Sequence, residues 1–539
     1  MSRSMLRLAF LASVAAAGVA FASTPVAAQR VPRVPRVPRV PRADLLIRGG
    51  TVIDGTGSAA RVADVAIQGD SITFVGDARR AGIRATREID AQGLIVAPGF
   101  IDPHTHTYGD LQSASAERRG NAAYLMQGVT TVITGNDGGG PVNIADTFTT
   151  WEQQGIGTNA ALYVGFGTVR GNVLGAGSGA PNAEQLARMK AMVAKGVDEG
   201  ALGLSTGLYY APQSYARTDE VIELAREAAR RGGVYDSHLR DESSYTVGLM
   251  GAVQEILQIG KEAGLPVHIA HIKALGVDVW GQSDSVIALV KRAQDAGQVV
   301  TADQYPYTAS GTAVGASLLP RWAEAGGRDS LRARIRNPEQ RDRLVAAMTD
   351  NMRRRGGAAS LLITGGRDRN IVGKTLDQIA RERNADPILT AIDIIMNGDA
   401  GVASFNMNED DIARFMREPW VFTGSDGSDG HPRKYGTYPR KLHDYVLGKH
   451  VITLEQMVQR SSYEVAKSLG LGKRGALQPG WKGDVIVMDT ARVAERATYE
   501  HPERLAEGMQ YVVVNGTLAV REGKPTGALA GKGVRRVAR

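Results

Sequence analysis

The chain has 539 residues, 43% of them hydrophobic and 65 of them glycine, room for one large catalytic domain with a smaller companion and many tight, chemistry-bearing loops. Its formal net charge is +8, but seven arginines and no acidic residue lie in the first 42 positions, so the body is near neutral and carries no basic footprint for nucleic acid. No cysteine is present, which excludes disulfides, zinc–thiolate sites and cysteine nucleophiles.

Residues 1–28 read as a secretory signal peptide. Arg3 and Arg7 open it, residues 8–22 form an apolar stretch too short to span a bilayer comfortably, and Val26-Ala27-Ala28 offers small residues for cleavage before Gln29. The expected location is secreted or periplasmic, with no stable membrane insertion after cleavage. Residues 29–43 form a linker that repeats Val-Pro-Arg, where proline at every third position forbids helix and favours an extended spacer.

From residue 44 to 97 short β runs alternate with turns. Leu45-Leu46-Ile47, Thr51-Val52-Ile53 and Val65-Ala66-Ile67 are separated by Gly49-Gly50 and Asp54-Gly55. Similar runs fill residues 471–525, including Tyr511-Val512-Val513-Val514 before the hairpin signal Asn515-Gly516. The two ends are expected to pair into one small β-sandwich. Between them, over residues 98–470, strand-like runs such as Val129-Thr130-Thr131-Val132-Ile133 alternate with amphipathic stretches such as residues 284–296. That rhythm predicts an α/β protein with a TIM-type (β/α)8 barrel. Residues 313–400 break it; they are arginine-rich, read as helical, and suit an insertion that forms a lid. Residues 526–539 read as a basic tail.

The chemistry concentrates in few residues. His104 and His106 follow the run Leu94-Ile95-Val96 and the segment Ala97-Pro98-Gly99-Phe100-Ile101-Asp102-Pro103. Side chains at i and i+2 of a strand end point the same way and can chelate one metal. His238 and His271 each follow a short apolar run, so four histidines at successive strand ends can converge on one barrel mouth. His268 lies out of phase with His271, so only one of them faces the site, and His271 is the choice. Asp426, in Gly424-Ser425-Asp426-Gly427 after another apolar run, can touch a metal and a water together, whereas Asp429 reads as a turn residue.

These motifs together resemble a known family. Pro98-Gly99-Phe100-Ile101-Asp102 with His104 and His106, Gly203-Leu204-Ser205-Thr206-Gly207-Leu208, His238-Leu239-Arg240-Asp241-Glu242, Asp303-Gln304-Tyr305-Pro306-Tyr307, Gly424-Ser425-Asp426-Gly427 and His431-Pro432-Arg433 look like the N-acyl-D-amino-acid deacylases of the amidohydrolase superfamily. The resemblance runs from about residue 44 to 525. It implies a barrel with a β-sandwich, zinc held by His238 and His271, and a weaker second metal position using His104, His106 and Asp426. It also implies a small-molecule substrate whose free carboxylate is held by Lys273, Tyr305 and Arg433. The family usually carries a metal-binding cysteine in a Gly-Asn-Cys-Gly turn, but here the turn is Gly135-Asn136-Asp137-Gly138. Aspartate is also a zinc ligand and its two oxygens can bridge two metals, so Asp137 joins the metal candidates.

The expected reaction is hydrolysis of an amide bond other than a main-chain peptide bond. The metal acidifies water and polarises the carbonyl, Asp426 serves as general base, and Lys273 and Arg433 are cations suited to a carboxylate. The alternatives are a D-residue dipeptidase, a cyclic-amide hydrolase, or a non-catalytic binding protein. A cyclic-amide hydrolase needs a carbamylated lysine at a strand end, and the nearest candidate, Lys195, falls in a helical stretch.

Overall fold

The structure is a computed structural model that describes residues 42–537. The signal-like segment and most of the Val-Pro-Arg linker lie outside the described residues. Arg42 and Ala43 already belong to the first strand, Arg42–Val52, where they pair with Arg84 and Ala85. The linker therefore ends two residues earlier than the sequence suggests, because the ladder that buries Leu45, Leu46 and Ile47 extends back over them.

Strands from both chain ends form one nine-stranded sheet. Ile95–Pro98 joins the halves: it runs parallel to Arg42–Val52 and antiparallel to Val485–Met488. The sheet curls until Ser71 bridges to Lys482, and Ile47, Val65, Ile67, Val96, Val485, Val487 and Val513 pack inside as a shared core. Alternation of buried and exposed residues sets which face turns inward.

Eight parallel barrel strands follow. They are Phe100–Thr105, Val129–Thr134, Asn159–Leu162 continued by Val164–Gly165, Gly203–Gly207, Val234–His238, Val267–Ile269, Val300–Gln304 and Val421–Thr423. Nearly every residue in them is buried, as expected of strands covered on both faces. The last strand meets the first through Asp426 N to the His104 carbonyl at 2.9 Å and His106 N to the Gly427 carbonyl at 3.0 Å. Outer helices supply the cover. In Thr218–Ala229, Val221, Leu224, Ala225 and Ala228 are buried at helical spacing. The stretch read as helical over 284–296 is the helix Ser283–Asp295.

Gly99 lets the sheet hand over to the barrel. A Cβ there would lie 2.2 Å from Thr130 Oγ1 and 2.4 Å from its Cγ2. Gly99→Ala should therefore lower stability by about 1–3 kcal/mol, the usual cost of overpacking. Gly109→Ala, whose Cβ would meet nothing within 4 Å, is the control, and thermal denaturation of both variants checks the difference.

The insertion is more than helical. Ala309–Ala313, Leu361–Gly366 and Ala400–Phe405 form a three-stranded antiparallel sheet, and the helices between them bury Leu318, Leu331, Leu344, Met348, Leu376 and Ile392 in a core of their own. The arginines that mask this apolar pattern lie on its surface helices, such as Gly327–Arg336 and Pro338–Arg354. The reading of residues 526–539 as a basic tail also needs correction. Through residue 537 it is laced across the barrel base by main-chain bonds, Val534 N to the Ala160 carbonyl at 2.8 Å and Val537 N to the Gly470 carbonyl at 2.9 Å. Gly531 permits this approach, since a Cβ there would lie 2.0 Å from the Thr158 carbonyl oxygen.

Candidate metal centre and active-site cleft

The C-terminal ends of the barrel strands gather six side chains. His104 lies in the first strand and His106 just beyond it; Asp137 lies in the turn after Val129–Thr134. His238 ends the strand Val234–His238, His271 follows Val267–Ile269, and Asp426 follows Val421–Thr423. The backbone is left-handed at Asp137 (φ 55°), His271 (φ 35°) and Asp426 (φ 48°). That conformation swings a side chain out of the strand direction, and at about 1–3 kcal/mol each it persists where the surroundings enforce it.

Asp137 sits at the centre. Its Oδ1 lies 3.5 Å from His104 Nε2 and 3.6 Å from His271 Nε2, and its Oδ2 lies 3.5 Å from His106 Nε2 and 3.9 Å from His238 Nδ1. Asp426 Oδ1 is 3.0 Å from His106 Nε2 and 3.6 Å from His104 Nε2. His238 Nδ1 and His271 Nε2 are 2.9 Å apart. Ligand atoms at about 2.0–2.2 Å from a tetrahedral ion lie roughly 3.3 Å from one another, so these spacings fit a divalent cation. The unmet polar atoms agree. Both ring nitrogens of His104 and Oδ1 of Asp137 are buried without a hydrogen-bond partner, a costly state that a bound cation relieves.

Carboxylates and histidines hold each other ionised here. Against burial, Asp137 and Asp426 raise His106 to about 9. Against burial and Lys273, Asp426 and Glu242 raise His271 to about 10. This is positive charge that a bound cation would replace. Burial alone would push the Asp137 carboxyl up, but His104, His106 and His271 outweigh it and hold it well below the usual range. Asp426 is held low against burial by Arg433 first and then by the histidines. Glu242 is held low against burial by Lys273, His238 and His271. Burial drives His238 down to about 4, leaving a neutral ring with a lone pair to give.

A supporting layer fixes these groups. Asp102 Oδ1 accepts from the backbone N–H groups of His104 at 3.2 Å and Ser425 at 3.0 Å, tying the first strand to the last. Asp303 Oδ1 accepts from the His271 backbone at 3.0 Å. It also lies 3.0 Å from His268 Nε2, whose other ring nitrogen lies 2.8 Å from Thr301 Oγ1, so both nitrogens of His268 are engaged outside the cluster of ligand atoms. Glu242 Oε1 lies 3.1 Å from His271 Nδ1 and accepts from Lys273 Nζ at 2.6 Å. A carboxylate on the far nitrogen of a ligating histidine orients the ring and raises its basicity.

A cleft of about 370 Å³ opens above the cluster. Tyr209, Tyr210 and Tyr245 form one wall, and Lys273, Tyr305 and Arg433 converge at another. The Arg433 guanidinium lies 4.8 Å from the Tyr305 ring centroid and its Nη1 is 2.7 Å from Asp426 Oδ2; Lys273 Nζ lies 5.6 Å from the same ring. The Tyr305 hydroxyl is buried and unpartnered.

Residues 87–520 match the family described as the amidohydrolase family. D-aminoacylase from Alcaligenes xylosoxydans xylosoxydans is 33% identical, with 92% of this chain and 98% of that protein covered. The chain belongs to the N-acyl-D-amino-acid deacylase (D-aminoacylase) family of the amidohydrolases. Among solved structures, a crystal structure of D-aminoacylase superposes with a TM-score of 0.78 at 32% identity, covering 92% of this chain and 100% of that one. N-acyl-D-glutamate deacylase from Bordetella bronchiseptica, solved with zinc and a phosphonate mimic of the tetrahedral intermediate, superposes with a TM-score of 0.77 at 31% identity, covering 92% and 100%.

All six candidate ligands and all three candidate carboxylate-binding residues thus reach one mouth. Asp429 lines the same cleft but is exposed, paired with Lys434 and outside the cluster of ligand atoms. Two further contributors, Glu242 and Asp303, stand inside the motifs that carry the resemblance, although those motifs alone assign them no role. Glu242 stands four residues after His238, and Asp303 directly precedes the Gln304-Tyr305 pair. Tyr209 and Tyr210, which line the cleft, had no distinguishing pattern beyond following Gly207-Leu208.

Proposed function

We propose that this chain is a metal-dependent deacylase of N-acyl-D-amino acids, using one or two divalent ions, zinc foremost, held by His104, His106, Asp137, His238, His271 and Asp426. The observation that carries this is Asp137 set among four histidines, with Asp426 joined on its other oxygen to Arg433. The relatives support the substrate class, since three that cover 90% or more of the chain are named D-aminoacylase, N-acyl-D-glutamate deacylase and N-acyl-D-aspartate deacylase. A divalent ion in such a cluster supplies Lewis acidity, polarising the amide carbonyl and acidifying water. The protein's own groups do the rest. Lys273, Tyr305 and Arg433 clamp the free carboxylate, which fixes the scissile amide beside the cluster. Asp426, within reach of that position, takes a proton from the attacking water and returns it to the leaving amine. A cyclic-amide hydrolase is disfavoured, because Lys195 sits on the helix Ala183–Asp198, exposed and paired with Glu199.

The N-terminal sequence supports export, secreted or periplasmic, through cleavage before Gln29; the N-terminus of the mature protein from an exporting host tests it. No helix among the described residues is long and apolar enough to cross a membrane. For the reaction, protein purified without added metal should contain zinc or a similar ion. Exhaustive chelation should abolish hydrolysis of N-acetyl-D-amino acids, and added zinc should restore it. Full activity in metal-free protein would overturn the reading.

A further inference from the structure

The cations that line the cleft are not equally balanced. Lys273 is paired with Glu242 at 2.6 Å and Arg433 with Asp426 at 2.7 Å. Arg355 has no carboxylate partner among the described residues, although only 2% of it is exposed. Its contacts are neutral. Nε donates to the Ser317 carbonyl at 3.2 Å, Nη2 donates to the Tyr209 hydroxyl at 3.4 Å, and Nη1 faces the Asn406 amide. Guanidinium does not shed its proton in proteins and carries five N–H donors, so donors and charge both remain to be met. A buried charge without a counter-charge is strongly unfavourable.

Its position gives that charge a use. Arg355 comes from the insertion, just after the helix Pro338–Arg354, and lines the cleft. Tyr209, which it touches, lies tilted against the His238 ring with centroids 5.7 Å apart, so one aromatic wall runs from the metal cluster to Arg355. Arg433 and Lys273 stand at the cluster itself.

We propose that Arg355 is a second anion-binding point of this cleft, and that the preferred substrate carries a second carboxylate on its side chain or its acyl group. The proposal rests on the deacylase reading. The α-carboxylate occupies the Lys273, Tyr305 and Arg433 corner, the scissile carbonyl faces the cluster, and one remaining branch of the substrate reaches Arg355. A carboxylate there makes charge-assisted, fork-like hydrogen bonds with the guanidinium. A neutral branch of the same size leaves the buried charge uncompensated and is rejected, which makes Arg355 a specificity determinant.

Zinc-loaded full-length protein should be assayed with two matched pairs: N-acetyl-D-glutamate against N-acetyl-D-glutamine, and N-succinyl-D-alanine against N-butanoyl-D-alanine. One pair should show kcat/KM about 10- to 100-fold higher for the charged member, the size of one charge-assisted contact, and that pair identifies the branch. Arg355→Gln should erase the preference, and Arg355→Lys should keep part of it. Charged and neutral members turned over alike by the parent protein would overturn the proposal. So would a preference that survives Arg355→Gln, or a uniform loss on all four substrates, the mark of a residue that only braces the insertion. Calorimetry with D-glutamate against D-glutamine, and succinate against butanoate, reads the same discrimination without turnover. If none of the four substrates is hydrolysed, the deacylase reading fails, while tighter binding of a charged member that disappears in Arg355→Gln still supports the anion site, and equal binding of both members overturns it.

Discussion

Asp426→Asn should leave metal content near the parent's and lower kcat by about 10²–10⁴-fold, the usual size of general acid–base catalysis. Asparagine keeps the shape of the side chain and tolerates the left-handed backbone at this position (φ 48°). It also keeps an oxygen toward His104 and His106, and the other ligands remain. What it loses is the ability to hold a proton. Arg433, against burial, holds the Asp426 carboxyl well below the usual range, so it stands ionised and able to accept a proton. Metal analysis with steady-state kinetics on Asp426→Asn checks this. Asp429→Asn, at an exposed ion pair with Lys434, should behave like the parent. If Asp429→Asn shows the large loss instead, the base has been misassigned.

The fold was legible because its two periodicities differ. Short β runs with glycine turns at both ends, and apolar runs separated by amphipathic stretches between, correspond to two different ways of burying a strand. Individual barrel strands were harder to delimit. Val267–Ile269 and Val421–Thr423 are three residues long, below the length at which a period can be read. Histidines were informative because the chain has only nine, and four stand at predicted strand ends. Glu242 and Asp303 stand inside recognisable motifs, but their roles were hidden by their abundance as residue types and by acting through a histidine. Arg355 was hidden differently. It lies at the end of a run of arginines on a helix of the insertion, and burial alone separates it from its exposed neighbour Arg353. The lacing of the C-terminus onto the barrel base consists of main-chain hydrogen bonds, which leave almost no mark in side-chain pattern beyond a small residue such as Gly531.

Asp137→Asn should weaken metal binding and activity together, by about 10–100-fold or more, the range seen when support at a metal site is lost. Two roles compete for this residue, and asparagine separates them. As a turn former at φ 55°, Asp137 is replaceable, because asparagine adopts the left-handed region equally well. As a ligand it is not, because the amide loses the charge and most of the donor strength of a carboxylate. The geometry favours the ligand role. Oδ1 faces His104 and His271, while Oδ2 faces His106 and His238, so the two oxygens divide the four histidines between them. A carboxylate in that position can bridge two ions, and it supplies the negative charge that a thiolate would bring to the same turn. It is also harder, so the parent should accept manganese or cobalt more readily than a thiolate site would. Asp137→Cys should therefore retain metal and shift the preference toward zinc. Metal content after dialysis against an equimolar zinc–manganese mixture, with kcat/KM for the parent and both variants, decides the matter. If Asp137→Asn binds metal and turns over like the parent, Asp137 only shapes the turn, and the centre works with four histidines and Asp426.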